Sequence, residues 1–300
     1  MRHIGVVLVV VNLAAGPGED PRASVSGPPM AAQTSIAPVV PPPQVLVLPG
    51  LPRAAPIDSA EESSRLFYNG KYDEAADMDL RLRAAAPDDL GSYERRSSAL
   101  HFQLKRELAA VGHPRDRDRA LRECERCAAL IAAIAADVTK GRELARARLA
   151  ADPDDIGALF FLGKLNLTHV WLHNDTLGKR TGWSEYREAR RVLDDVLEQQ
   201  PDHMRARVSR AYIDYIVDTR VPWAFRWVLG GGNRKRALAT LRETVTMPGT
   251  PAMLAEARFA LWEMLTREGE MAEATAIAET LALDYPDNAE LEKFLAEQAP

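Results

Sequence analysis

Cysteine is nearly absent from this 300-residue chain: Cys124 and Cys127 are the only two. A pair three residues apart supplies no disulfide framework, so packing has to hold the fold. An excess of basic residues is missing as well. Thirty-eight Lys and Arg stand against 43 Asp and Glu, a net charge of −5. That balance excludes a generally basic surface, and no nucleic-acid partner is predicted. Long apolar runs are lacking beyond the first fifty residues. Even the run Ile4–Val11 falls far short of the ~20 residues a spanning helix needs, so stable membrane insertion is not expected.

What the chain does have is divided unevenly. Arg2 and His3 precede the apolar run, and small residues lead to Gly16, the layout of a signal peptide over residues 1–16. No cysteine follows it to carry a lipid. The expected location is therefore exported, periplasmic or secreted, and cytoplasmic if this segment is not a signal. Residues 17–56 are rich in proline, with Pro41, Pro42 and Pro43 consecutive, and read as a disordered or polyproline-like linker. Beyond it, residues 57–300 are dominated by Ala, Leu, Arg and Glu, strong helix formers.

A phrase recurs through this third region: Ala-Pro-Asp-Asp at 86–89, Asp-Pro-Asp-Asp at 152–155, Gln-Pro-Asp-His at 200–203 and Tyr-Pro-Asp-Asn at 285–288. Each follows one amphipathic stretch and precedes another. Proline ends the first helix, and the polar residue after it is placed to cap the next. Pro153, Pro201 and Pro248 stand 48 and 47 residues apart, and Pro248 and Pro286 stand 38 apart. Self-similarity at such a period is the signature of a helical solenoid. The two longer units carry extensions, at residues 167–183 and 216–233. A helix is predicted over Leu90–Val111, a long helical stretch over Asp118–Leu149 with a break near Thr139–Arg142, and a solvating cap helix over Ala289–Gln298.

In these features the sequence resembles the tetratricopeptide repeat family. Leu66, Gly70, Tyr72, Ala75, Leu82 and Pro87 fit one unit. Leu159, Leu162, Gly163, Ala189, Leu193, Val196 and Pro201 fit a second; Ala211, Ala237 and Leu241 belong to a third, and Gly269, Ala274, Leu281 and Pro286 to a fourth. Asp79 departs from the pattern, standing where an aromatic residue or Leu is expected. The resemblance implies an all-α, tetratricopeptide-type helical-hairpin solenoid with two extended repeats. It also implies a groove lined by first-helix residues, here Phe160, Lys164, Arg205, Tyr212, Glu256, Phe259, Glu263 and Arg267.

Motifs that would carry catalysis do not emerge. Gly230-Gly231-Gly232 precedes a helix and could hold an anion on backbone N–H groups, but it lacks the GKS/T ending and preceding strand of a nucleotide loop. The other reading is a flexible turn with Asn233 as N-cap. His169 and His173 have the four-residue spacing of a shared metal, yet Val170 stands where a zincin needs Glu, and no third ligand is evident. Cys124 and Cys127 form C-x-x-C without the βαβ context of a thioredoxin, and free thiols packed between helices or exposed are expected. Neither enzyme activity, cofactor nor metal is predicted.

Four of the five tryptophans, Trp171, Trp183, Trp223 and Trp227, fall in or beside the extensions. Together with Arg226 they read either as a shared pocket or as a thicker local core. The expected function is a non-catalytic scaffold whose groove holds a peptide or protein. The alternative is a small amphipathic ligand held in a Trp-rich pocket, as in periplasmic tetratricopeptide components that accompany substrate-binding transporters. The candidate ligand-binding residues are Phe160, Lys164, Trp171, Arg205, Tyr212, Trp223, Arg226, Trp227, Phe259 and Glu263.

Overall fold

The computed structural model describes residues 59–113, 116–179 and 181–298. The expected signal peptide and proline-rich linker lie outside the described residues. Ser59 opens the first helix as its N-cap: the Oγ accepts from the Glu62 N–H at 3.1 Å. Helices follow almost without interruption, and no strand occurs among the described residues. No helix among them is long and apolar enough to cross a membrane.

Five antiparallel hairpins account for most of the described chain. The first pairs α1 (Ala60–Tyr68) with α2 (Tyr72–Ala85), and the second pairs α3 (Leu90–Val111) with α5 (Cys127–Ala151), with the short α4 (Arg117–Glu123) between them. The third joins α6 (Ile156–Trp171) to α7 (Trp183–Gln199). The fourth joins α8 (Met204–Arg220) to α10 (Arg234–Thr244), with α9 (Trp223–Arg226) in the connection. The fifth is α11 (Pro251–Glu268) with α12 (Met271–Asp284), and α13 (Ala289–Gln298) lies against it. This is the all-α tetratricopeptide-type solenoid that the sequence implies.

The recurring phrase does what its residues predict. Asp89 accepts from the N–H groups of Gly91 and Ser92, Asp155 from Ala158, and Asn288 from Glu290 and Leu291. At the third site the cap is a histidine, His203, whose Nδ1 accepts from the Ala206 N–H at 3.1 Å. Gly70 and Gly269, at φ 74° and 76°, turn the first and fifth hairpins in the left-handed region that β-carbon-bearing residues avoid. Gly163 serves packing instead: a Cβ there would lie 2.9 Å from Leu193 Cγ on α7.

Two expectations need correction, and one departure from the repeat pattern finds its reason. The break in the long helical stretch falls at Cys124–Arg126, between α4 and α5, and α5 runs straight through Thr139–Arg142. Gly141 is present because α6 presses on it, with Leu165 Cδ1 2.7 Å from where a Cβ would stand. The cysteines are not free thiols: Cys124 and Cys127 form a buried disulfide across that break, with Cα atoms 5.4 Å apart. Finally, the departure at Asp79 is a built feature. Its fully buried carboxylate accepts from Ser63 Oγ at 2.6 Å and from Arg95 Nε at 2.8 Å, joining the first hairpin to the second.

The last hairpins also meet the first. Tyr68 on α1 stacks on Phe259 of α11 with ring centroids 5.0 Å apart and planes within 10°. Asn288 Nδ2 donates to the Tyr68 carbonyl, the Asp287 N–H donates to Asn69 Oδ1, and Lys71 pairs with Asp287 at 2.6 Å. The Ala252 N–H donates to Glu61. The series of hairpins therefore closes on itself, and the first helices face a shared interior.

Candidate binding chamber

Register along the first helices decides what faces inward. The ninth residue after each N-cap is Tyr68 in α1, Ser98 in α3, Lys164 in α6, Tyr212 in α8 and Phe259 in α11. All five line one cavity of about 220 Å³. Neighbours one turn away complete the wall, because positions three or four apart share a helix face. They include Glu94, Phe102, Glu256 and Glu263, with Arg205 two turns from Tyr212 on the same face and Phe67, Tyr72, Trp171 and Trp262 supplying further aromatic surface.

The charges at this wall are satisfied among themselves. Lys164 Nζ lies 2.7 Å from Glu256 and 3.5 Å from Glu94, while Arg205 donates to Glu256 at 2.5 Å and to Glu94 at 3.0 Å. Two acids and two bases from four successive first helices thus form one neutral, largely buried tetrad. Burial works to raise the Glu256 carboxyl, but Arg205 and Lys164 outweigh it and lower the value to about 2. Glu94 is likewise held below the usual carboxylate range, burial being overcome by Lys164 and Arg205. Burial works against the charge on Lys164 too, yet Glu256 and Glu94 keep its ammonium above the ordinary value. A second cluster flanks the first: Tyr212 and Arg267 both donate to Glu263, whose carboxyl burial pushes up.

Of the sequence-predicted site residues, Lys164, Trp171, Arg205, Tyr212, Phe259 and Glu263 converge on the chamber. Phe160 lies beneath it, buried, with the Arg205 guanidinium 4.9 Å above its ring. Trp223, Arg226 and Trp227 do not join them. The two tryptophans are 82% and 78% exposed, and Arg226 is held by Asp218 and by the Val221 carbonyl. The extensions are also anchored on different helices rather than roofing one site. The first, which carries a π-helical turn at Leu172–Thr176, is tied to α3 by Lys105–Asp175 at 3.1 Å and by His101 to Thr176 at 2.7 Å. The second is gripped by Arg190 of α7, which donates to the carbonyls of Leu229, Gly230 and Gly231. The glycine loop therefore faces Arg190 with its carbonyl oxygens. Asn233 is the N-cap of α10, accepting from the Arg236 N–H.

Sequence reasoning missed Phe67, Tyr68, Glu94 and Ser98, which lie on α1 and α3, helices for which no groove positions were assigned. Counting nine residues on from Ser59 and Asp89, both visible as caps, would have found Tyr68 and Ser98. His169 and His173 stack with ring centroids 4.1 Å apart, and no group of three potential metal ligands occurs among the described residues.

No protein-family model and no curated protein matches the chain. Among solved structures it is similar to a thermophilic tetratricopeptide-repeat protein of Thermus thermophilus, at 20% identity and TM-score 0.41, over 80% of this chain and 98% of that one. It is also similar to the C-terminal part of a tetratricopeptide-repeat protein of Cytophaga hutchinsonii, at 16% identity and TM-score 0.29, over 79% and 99%. The chain's own caps, hairpins and register define its fold.

Proposed function

We propose that this chain is a non-catalytic binding scaffold whose chamber takes an apolar anchor group, the aromatic or branched side chain of a peptide or protein partner. One observation carries the reading: five first helices each deliver their ninth residue to a single cavity in which the charged groups already neutralise one another. Such a tetrad has no net charge to offer a charged ligand, whereas the aromatic surface around it rewards an apolar one. A cavity of about 220 Å³ is smaller than the ~300–1,000 Å³ typical of drug-sized ligand sites. It suits one or two side chains rather than a length of peptide.

A second reading, capture of a small amphipathic molecule, is favoured by the closing contact between α1 and α11, which limits access for an extended chain. Random-peptide display separates the two. Selection on the chain should enrich peptides with a large apolar anchor, and Ser98→Phe, which fills the chamber, should abolish that enrichment. Equal enrichment on both forms would sink the proposal. A small molecule retained in native mass spectra of the unmutated chain and lost in Ser98→Phe would move it to the second reading.

The buried Cys124–Cys127 disulfide and the N-terminal apolar run together support an exported protein, since disulfides persist in oxidising compartments. N-terminal sequencing from the native host tests this, and an intact Met1 would refute it.

A further inference from the structure

Away from the chamber, a cleft of about 620 Å³ opens between the end of α8, the α9 loop and the end of α11, lined by Tyr215, Asp218, Arg220, Arg226, Arg234, Arg267 and Glu268 among others. Four arginines face two acids, and the pairings are unequal. Arg226 is bound to Asp218, and Arg234 pairs with Glu268 at 3.3 Å. Asp218 is occupied further by the Arg234 N–H, and Glu268 by the Tyr215 hydroxyl at 3.0 Å. Both carboxylates are thus used. Arg267 reaches Glu263 through one nitrogen, leaving Nε and Nη1 buried with no partner. Arg220, partly buried in the last turn of α8, makes no hydrogen bond or close ion pair among the described residues, the nearest acid acting on it being Asp175.

Unfilled guanidinium donors under a protein surface are costly. Arg267 carries two such donors, and a second positive charge lies close to it: burial, and then the neighbouring Arg267 charge, lower the pKa of Arg220, an effect that Asp175 offsets only in part. A guanidinium fork matches the oxygens of an oxyanion. A carboxylate has two oxygens and can fill one fork, whereas a phosphate has enough to engage both and carries about −1.5 to −2 charge at neutral pH. We propose that the Arg220–Arg267 cleft is a phosphate-binding site, with Arg226 and Arg234 as its already paired outer wall. The group could belong to a soluble phosphate compound or to a lipid headgroup. The α9 lobe beside the cleft bears the exposed Trp223 and Trp227, side chains that favour a bilayer interface.

The test uses the chain and Arg220→Gln. Because burial and Arg267 oppose the Arg220 charge more than Asp175 favours it, removing that charge should leave the melting temperature unchanged or higher in phosphate-free buffer. Titration calorimetry at constant ionic strength with inorganic phosphate is expected to show saturable binding that weakens at least about tenfold in the variant. Co-sedimentation with phosphatidylglycerol vesicles, against phosphatidylcholine as the zwitterionic control, reads the other source. Binding to the vesicles alone, lost in Arg220→Gln, assigns the site to a headgroup; binding to inorganic phosphate assigns it to soluble compounds. No binding in either arm, or binding unchanged in Arg220→Gln, overturns the proposal. So does a fall of several degrees in the variant's melting temperature, because Arg220 would then be a structural partner.

Discussion

Replacing Glu256 by Gln removes one charge from the tetrad and leaves Lys164 and Arg205 facing Glu94 alone. The magnitude follows from the carboxyl itself. Its ordinary value of 4.5 is lowered to about 2 in the fold, and each unit corresponds to about 1.4 kcal/mol. The charged form is therefore stabilised by the fold by about 3 kcal/mol, at the lower edge of the ~3–5 kcal/mol expected when one member of a buried pair is removed. With Glu256 14% exposed and its partners 13% and 20%, solvent screening takes away only part of this.

Urea unfolding at pH 7 should show Glu256→Gln less stable by about 3 kcal/mol with an unchanged slope. The pH dependence gives an independent check. A carboxyl whose folded value is depressed contributes stability that is present above the unfolded value and is lost as pH falls toward the folded one. The gap between the two proteins should therefore shrink to about half at pH 3. Adding Lys164→Met to Glu256→Gln restores neutrality and should recover more than half of the loss. A deficit under about 1 kcal/mol at pH 7, or one that does not narrow at pH 3, would refute the view that the tetrad ties the four hairpins together.

Asp79 shows the opposite sign. Burial raises its carboxyl from 3.8 to about 6 although Arg95 pulls it down, so its charged form costs stability that appears as pH rises from about 4 to 6; the melting temperature of Asp79→Asn relative to the unmutated chain should climb across that window, and a flat difference would count against it. Reduction of Cys124–Cys127 should cost no more than about 2 kcal/mol, because the closed loop is so short; dithiothreitol that abolishes cooperative melting would show a larger role. Trp223→Ala and Trp227→Ala should each change stability by under about 0.5 kcal/mol, as exposed substitutions do, and a loss near 3 kcal/mol would place them in a core that the structure does not show.

The parts of this molecule that were legible in sequence are those governed by local rules. Proline followed by a capping side chain marked where helices start, and Gly163 with Leu193 marked a close crossing of two helices. The misplaced break in the second hairpin shows where a local rule has two causes. Glycine inside a helix reads as a breaker, but Gly141 is there because Leu165 leaves no room for a Cβ, and only the neighbouring helix carries that information. The interior charges were half legible for the same reason. Lys164, Arg205 and Glu256 occupy inward positions that the family resemblance implies, whereas the role of Glu94 depends on partners far along the chain, as in its bond to Arg205 about a hundred residues away.

The tryptophans of the second extension expose the limit of composition as a guide to burial. Five in 300 residues, four of them clustered, invites the inference of one aromatic pocket. Burial, however, depends on whether opposing surface is present, and the extensions differ in this respect. Residues 167–176 continue α6 into contact with α3, so Trp171 reaches the chamber and meets Tyr212 with ring centroids 6.0 Å apart. The second extension leaves α8 at Val221 and is held through backbone carbonyls and aspartates, contacts that fix a loop without covering its side chains. A loop fixed in this way keeps Trp223 and Trp227 in water at a cost in hydration that packing elsewhere has to offset. The two tryptophans therefore lie apart from the chamber: Trp171 of the first extension lines its wall, whereas Trp223 and Trp227 of the second do not.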